Sequence, residues 1–164
     1  MNTSTKSKLS WVAHSSKLLC LLVLAQPFCS LAQQNKISVE PIDTLWVKRT
    51  EPAKLVLKAV VLPGFHVNSD KPRDEFLIPL KLTWDSGPLQ VKSISYPKPE
   101  DLDMNGQKLA VFTGTVPIET QFVVALDARK GEQTVTGKLR YQACNSNMCF
   151  RPATIDVHFT AVIE

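Results

Sequence analysis

Residues 133–163 read QTVTGKLRYQACNSNMCFRPATIDVHFTAVI, and the fold is decided in this stretch. Ahead of the first cysteine, Val135, Leu139 and Tyr141 alternate with Thr134, Thr136, Lys138 and Arg140; beyond the second, Ile155, Val157, Phe159 and Ala161 alternate with polar residues. A period of two puts the apolar set of each run on one face, the signature of half-buried strands. Asn145-Ser146-Asn147 between them is a turn signal, so the run predicts a hairpin with Cys144 and Cys149 at its top. Carried forward, the alternation gives Cys144 the parity of the polar residues and predicts a cysteine pair close to the surface.

Working outward, residues 54–61, 77–84, 89–96, 109–113 and 116–126 are also strand-like, and a further strand starts near Ile37. In 77–84 the residues Ile78, Leu80, Leu82 and Trp84 share a face, while Pro79 cannot donate to a ladder and marks an edge or a bulge. Turn chemistry separates the strands at Pro63-Gly64, Ser86-Gly87-Pro88, Pro97-Lys98-Pro99, Asn105-Gly106 and Lys130-Gly131. No window shows sustained helical periodicity. Seven to nine short strands with such spacing predict an all-β, immunoglobulin-like antiparallel β-sandwich.

The full chain has 164 residues and a formal charge of +4. Residues 1–32 contain Lys6, Lys8 and Lys17 without an acid, then the apolar run Leu18 to Phe28, then Ser30-Leu31-Ala32. This is the pattern of a signal peptide, with cleavage expected after Ala32 and export as a soluble protein; the run is about half of the roughly 20 apolar residues that span a bilayer. The remainder, residues 33–164, is expected to be a single domain. It carries 16 Lys and Arg against 15 Asp and Glu, a balance that leaves no basic footprint for a nucleic acid. Nucleophile-elbow, metalloprotease and Gly-rich phosphate motifs are all missing, so hydrolytic chemistry is not expected.

Of the four cysteines, Cys20 and Cys29 would leave with the leader, and Cys144 and Cys149 remain. In an oxidising compartment two thiols five positions apart can readily form a disulfide. Zinc would want four ligands, and His66 and His158 come with no ligand spacing, so neither a metal nor another cofactor is expected. A disulfide closing so short a loop contributes only about 2 kcal/mol in the chain-entropy model. On spacing alone such a pair reads first as a structural brace in a secreted binding module, and otherwise as an exchangeable dithiol whose reactivity is tuned by nearby charge.

YQACNSNMCFRP at residues 141–152 resembles the active-site hairpin of the amino-terminal periplasmic domain of the DsbD-type thiol:disulfide interchange proteins. GFHVNSDKPRDEFLIP (64–79), YPKPEDLDMNG (96–106) and LAVFTGTVP (109–117) match that family in order and interval, so the resemblance covers most of residues 35–163. It implies an immunoglobulin-like domain that passes reducing equivalents to periplasmic partners, thioredoxin-like or otherwise disulfide-carrying. The expected donor is a separate membrane protein, since the family's membrane-embedded and thioredoxin-like domains have no counterpart in these residues. By position, Cys149 is the thiol that attacks partners and Cys144 the one that resolves the mixed disulfide.

The resemblance further implies a cap loop over the pair, at Asp101-Leu102-Asp103-Met104-Asn105-Gly106. Where the family's best-known form places an aromatic over the disulfide, Leu102 or Met104 would have to serve, and a thioether is acceptable packing against sulfur. Asp101 and Asp103 near a thiolate would raise its pKa. His66 is expected beside the hairpin, either polarising a thiol or facing solvent at a strand end. Phe150 and Pro152 match the residues that commonly follow the second cysteine, while Arg151 departs from the usual second proline.

Overall fold

The computed structural model describes residues 36–104 and 106–164. The expected signal peptide, with Cys20 and Cys29, therefore lies outside the described residues, as does Asn105 of the expected cap. The described residues form twelve strands: β1 Ile37–Val39, β2 Leu45–Val47, β3 Ala53–Val61, β4 His66–Asn68, β5 Lys81–Trp84, β6 Leu89–Ser95, β7 Glu100–Met104, β8 Gln107–Phe112, β9 Thr115–Val124, β10 Gly131–Tyr141, β11 Ala143–Cys144 and β12 Ala153–Ile163. They make three four-stranded sheets, ordered β1-β3-β9-β6, β2-β12-β10-β5 and β11-β4-β8-β7. Each of these pairings is antiparallel except β2 with β12.

The first two sheets are the layers of an immunoglobulin-like sandwich. The long strands alternate as expected: in β10 the residues Val135, Gly137, Leu139 and Tyr141 are buried, and Thr134, Thr136, Lys138 and Arg140 are exposed. Trp84 of β5 joins the layers, its ring meeting Phe122 of β9 at 5.5 Å and Phe159 of β12 at 5.4 Å, both edge-on. Its indole Nε1–H donates to the buried Thr120 Oγ1 of β9 at 3.0 Å, which satisfies two polar groups that would otherwise be stranded in the core. Gly137 lies directly opposite Trp84 in the β5–β10 ladder, and the missing side chain is what lets the indole lie over the strand.

Residues 77–80 are not strand; β5 begins only at Lys81, two residues past Pro79. The expected face survives, because Leu80, Leu82 and Trp84 are all buried, and β5 is an edge of its sheet as a neighbouring proline requires. Three short strands, β2, β4 and β7, have no alternation long enough to announce them. Two of these belong to the third sheet, which lies at the cysteine end of the β10–β12 hairpin.

Candidate functional site

The β10–β12 ladder runs in unbroken register from Gly131↔Ile163 to Tyr141↔Ala153. At Gln142 the chain leaves that sheet, and β11 pairs with β4 in the third one, Ala143 opposite Val67 and Cys144 opposite His66. Gln142 holds this change of sheet together. Its Nε2 donates to the Phe150 carbonyl at 3.1 Å, and its Oε1 accepts from Asn68 Nδ2 and from the Ile78 amide, each at 3.4 Å.

Beyond Cys144 the hairpin closes on an Asx-type turn. Asn145 Oδ1 accepts from the amides of Asn147 and Met148, both at 2.9 Å, and the Asn145 amide donates to the Met148 carbonyl at 2.9 Å. The Phe150 amide returns to the Ala143 carbonyl at 2.8 Å. Cys144 and Cys149 thus face each other across the hairpin and are joined as a disulfide.

The two cysteines have different surroundings. Cys144 is 1% exposed, packed inside the third sheet, whereas Cys149 is exposed. The polar-face parity expected for Cys144 is wrong, because the alternation of β10 stops at Tyr141 and restarts in another sheet; Tyr141, Ala143 and Cys144 are all buried. Only the second cysteine has the surface position that the sequence suggests for both.

His66 is not a solvent-facing strand end. It is 5% exposed, and its Nε2 is sealed from solvent with no hydrogen-bond partner among the described residues. Burial pushes its pKa below the ordinary histidine value, since charging an imidazole away from water is unfavourable. Phe65, one residue earlier, packs on Phe150 with ring centroids 5.8 Å apart, and Lys36 Nζ stands 5.0 Å from the first ring and 5.5 Å from the second. This cation–π clamp fixes the outgoing arm of the hairpin to the segment that carries His66. Sequence reasoning misses Phe65 and Lys36, because nothing in the string links two aromatics 85 positions apart to a lysine.

The expected cap loop is a β-hairpin. Glu100–Met104 forms β7 and pairs along its full length with β8, from Glu100↔Val111 to Met104↔Gln107. Its turn depends on Gly106, whose φ of 82° is costly for a residue with a side chain, and the Gly106 amide donates to Asp103 Oδ1 at 3.1 Å. Asp101 is paired with Arg73 at 2.6 Å, both side chains largely exposed. The two carboxylates therefore hold the hairpin and its tether.

Leu102, Asp103 and Met104 instead line a cleft of about 420 Å³, whose other walls are Gly64, Phe65, His66, Thr113 and Ser146. The cap hairpin, the His66 strand and the cysteine turn meet there. Asp101 points its charge elsewhere, and Phe150 lies behind the cleft against Phe65. Leu102 and Met104 are both half-buried.

An immunoglobulin-like sandwich with a disulfide at the tip of its β10–β12 hairpin, one cysteine buried and the other exposed, defines the class of fold and site. The chain belongs to the family of the N-terminal domain of the thiol:disulfide interchange protein DsbD, whose family model matches residues 33–161. Among solved structures it is similar to the DsbD N-terminal domain of Neisseria meningitidis in the reduced form, with 14% identity and a TM-score of 0.46 over 66% of this chain and 77% of that one. It is also similar to the N-terminal periplasmic domain of ScsB from Proteus mirabilis, with 17% identity and a TM-score of 0.47 over 76% of this chain and 44% of that one. Among curated proteins none matches.

Proposed function

We propose that residues 33–164 act, after removal of residues 1–32 as a signal peptide, as a periplasmic dithiol/disulfide exchange domain that passes reducing equivalents to thioredoxin-like or other disulfide-carrying proteins. Electrons arrive from a membrane donor. The observation that carries this reading is the asymmetry of the pair, with Cys149 exposed and Cys144 1% exposed in one disulfide. Exchange needs one sulfur that a partner can reach and a second that reacts only within the domain.

In the reduced domain the Cys149 thiolate attacks a partner disulfide, forming Cys149–S–S–partner and releasing the partner's first thiolate. Cys144 then attacks Cys149 Sγ, closing the Cys144–Cys149 disulfide and releasing the partner's second sulfur. Two electrons and two protons leave the domain, and the partner gains both. Leu102 and Met104 on the cap hairpin narrow the approach to the cysteine turn, so partner docking displaces or skirts them.

The test is trapping with a disulfide-carrying partner. Cys144→Ala accumulates the mixed disulfide, and Cys149→Ala forms none. The reduction potential of the pair falls within the range of exchange proteins, roughly −120 to −270 mV. A potential below about −300 mV would instead mark a structural brace and overturn the proposal.

A further inference from the structure

Dithiol exchange leaves one group in the site without a use, and the role assigned to it here rests on that exchange reading. His66 sits opposite Cys144 in the β4–β11 ladder. Residues directly opposite in an antiparallel pair project to the same face, with Cβ atoms about 4.5–5.5 Å apart, so the two side chains are cross-strand neighbours. Both are buried, Cys144 at 1% and His66 at 5% exposed. In the disulfide state His66 Nε2 has no hydrogen-bond partner among the described residues, an arrangement that costs free energy in a folded protein.

Reduction supplies what is missing. Cleaving the disulfide with two electrons and two protons gives Cys144 an S–H, a donor in a place sealed from bulk water. We infer that His66 Nε2 accepts the Cys144 S–H in the reduced domain and is the base that removes this proton when Cys144 resolves the mixed disulfide.

The step balances. Cys144 Sγ gives its proton to Nε2 and its electron pair to Cys149 Sγ; the bond between Cys149 and the partner breaks, and the partner's sulfur leaves with that pair. The proton then passes on to the departing thiolate, and His66 returns to the neutral form. A buried thiol needs such help more than an exposed one, because desolvation raises its pKa. The burial that lowers the pKa of His66 keeps it neutral, and so an acceptor, between turnovers.

Asp103 of β7 lines the same cleft as His66, and Lys36 stands over Phe65. β8 and the residue after it bring Phe112 and Thr113, and β11 brings Ala143 and Cys144, none of them charged. A carboxylate moves the midpoint of a neighbouring imidazole's titration without changing its steepness, so Asp103 is the neighbour to control for.

Ellman's reagent separates the two steps on the mature chain, since the first thionitrobenzoate released reports attack by Cys149 and the second reports resolution by Cys144. His66→Gln leaves the first phase near its original rate and slows the second at least about tenfold near pH 7. In the unaltered domain the second phase levels off above the histidine pKa, and in His66→Gln it keeps climbing toward the thiol pKa. Asp103→Asn moves the levelling point and leaves the plateau. As a measurement that needs no substitution, the ¹⁵N shift of His66 Nε2 changes on reduction of the domain as it gains a hydrogen bond.

A second phase unchanged in rate and pH profile in His66→Gln, or a ¹⁵N shift insensitive to reduction, overturns the role of His66 and leaves exchange standing. If the reduced, unaltered domain releases no thionitrobenzoate, the exchange reading falls and the role of His66 with it.

Discussion

At the scale of single residues, two positions hold the core and the site to narrow tolerances. A Cβ built on Gly137 would stand 2.6 Å from the Thr83 carbonyl and 2.6 Å from the Trp84 ring, and the first of these is backbone that cannot swing away. Gly137→Ala is therefore expected to destabilise by about 1–3 kcal/mol, the usual cost of overpacking, read as a lower urea midpoint at unchanged slope. His66 makes the opposite kind of prediction, one about pH. Its folded pKa is lowered by burial, so as pH falls below about 6.5 the unfolded chain takes up a proton that the folded one refuses. The unfolded state gains, and stability declines from that point down toward the folded pKa. The urea midpoint should drop as pH falls through about 6.5 toward the folded pKa, and His66→Gln should flatten that part of the profile. A midpoint that drops equally in the variant would assign the effect to the carboxylates.

At the scale of elements, the outer strand of the cap hairpin has one exposed ion-pair tether to the segment before β5. Arg73–Asp101 joins β7 to residues 69–80, and its side chains are 51% and 62% exposed, so the pair contributes only about 0.2–1 kcal/mol. Arg73→Ala should leave global stability almost unchanged. If the hairpin opens before the disulfide is attacked, the same substitution shifts that local equilibrium, and reduction by dithiothreitol should quicken by up to about fivefold, the factor matching about 1 kcal/mol. An unchanged reduction rate would mean that the reductant reaches Cys149 without moving β7.

The elements also show what the sequence makes legible. The long strands and the β10–β12 hairpin are readable because burial on one face enforces a period of two over 10 or 11 residues. The stretch EDLDM reads as a loop because it has little strand propensity; it is a strand, β7, because β8 presents a full ladder to it. Alternation puts Cys144 on the wrong face for a reason local to Gln142. Parity carries no information across a change of sheet, and the hydrogen bonds that mark the change, donated by Gln142 to Phe150 and accepted by it from Asn68 and Ile78, are invisible in a string of residues. The meeting of His66 with Cys144 is likewise a fact of register, which only β4–β11 pairing reveals.

At the scale of the whole molecule, the core and the disulfide are separable. Trp84, Phe122 and Phe159 fill the sandwich interior among strands that the disulfide does not close, while the disulfide spans five positions within one hairpin tip. A loop that short restrains the unfolded chain by only about 2 kcal/mol. The sandwich should therefore stay folded when the pair is reduced, which an exchange domain requires because it must present the same surface to partners in both redox states. Reduction should lower unfolding free energy by about 2 kcal/mol or less, with the far-ultraviolet spectrum unchanged and changes in amide hydrogen exchange confined to β11, β4 and the cap hairpin. A chain that instead unfolds in reductant would show the hairpin tip bracing the sandwich. Exchange could then proceed only at the expense of the fold, leaving the static brace as the role of the pair.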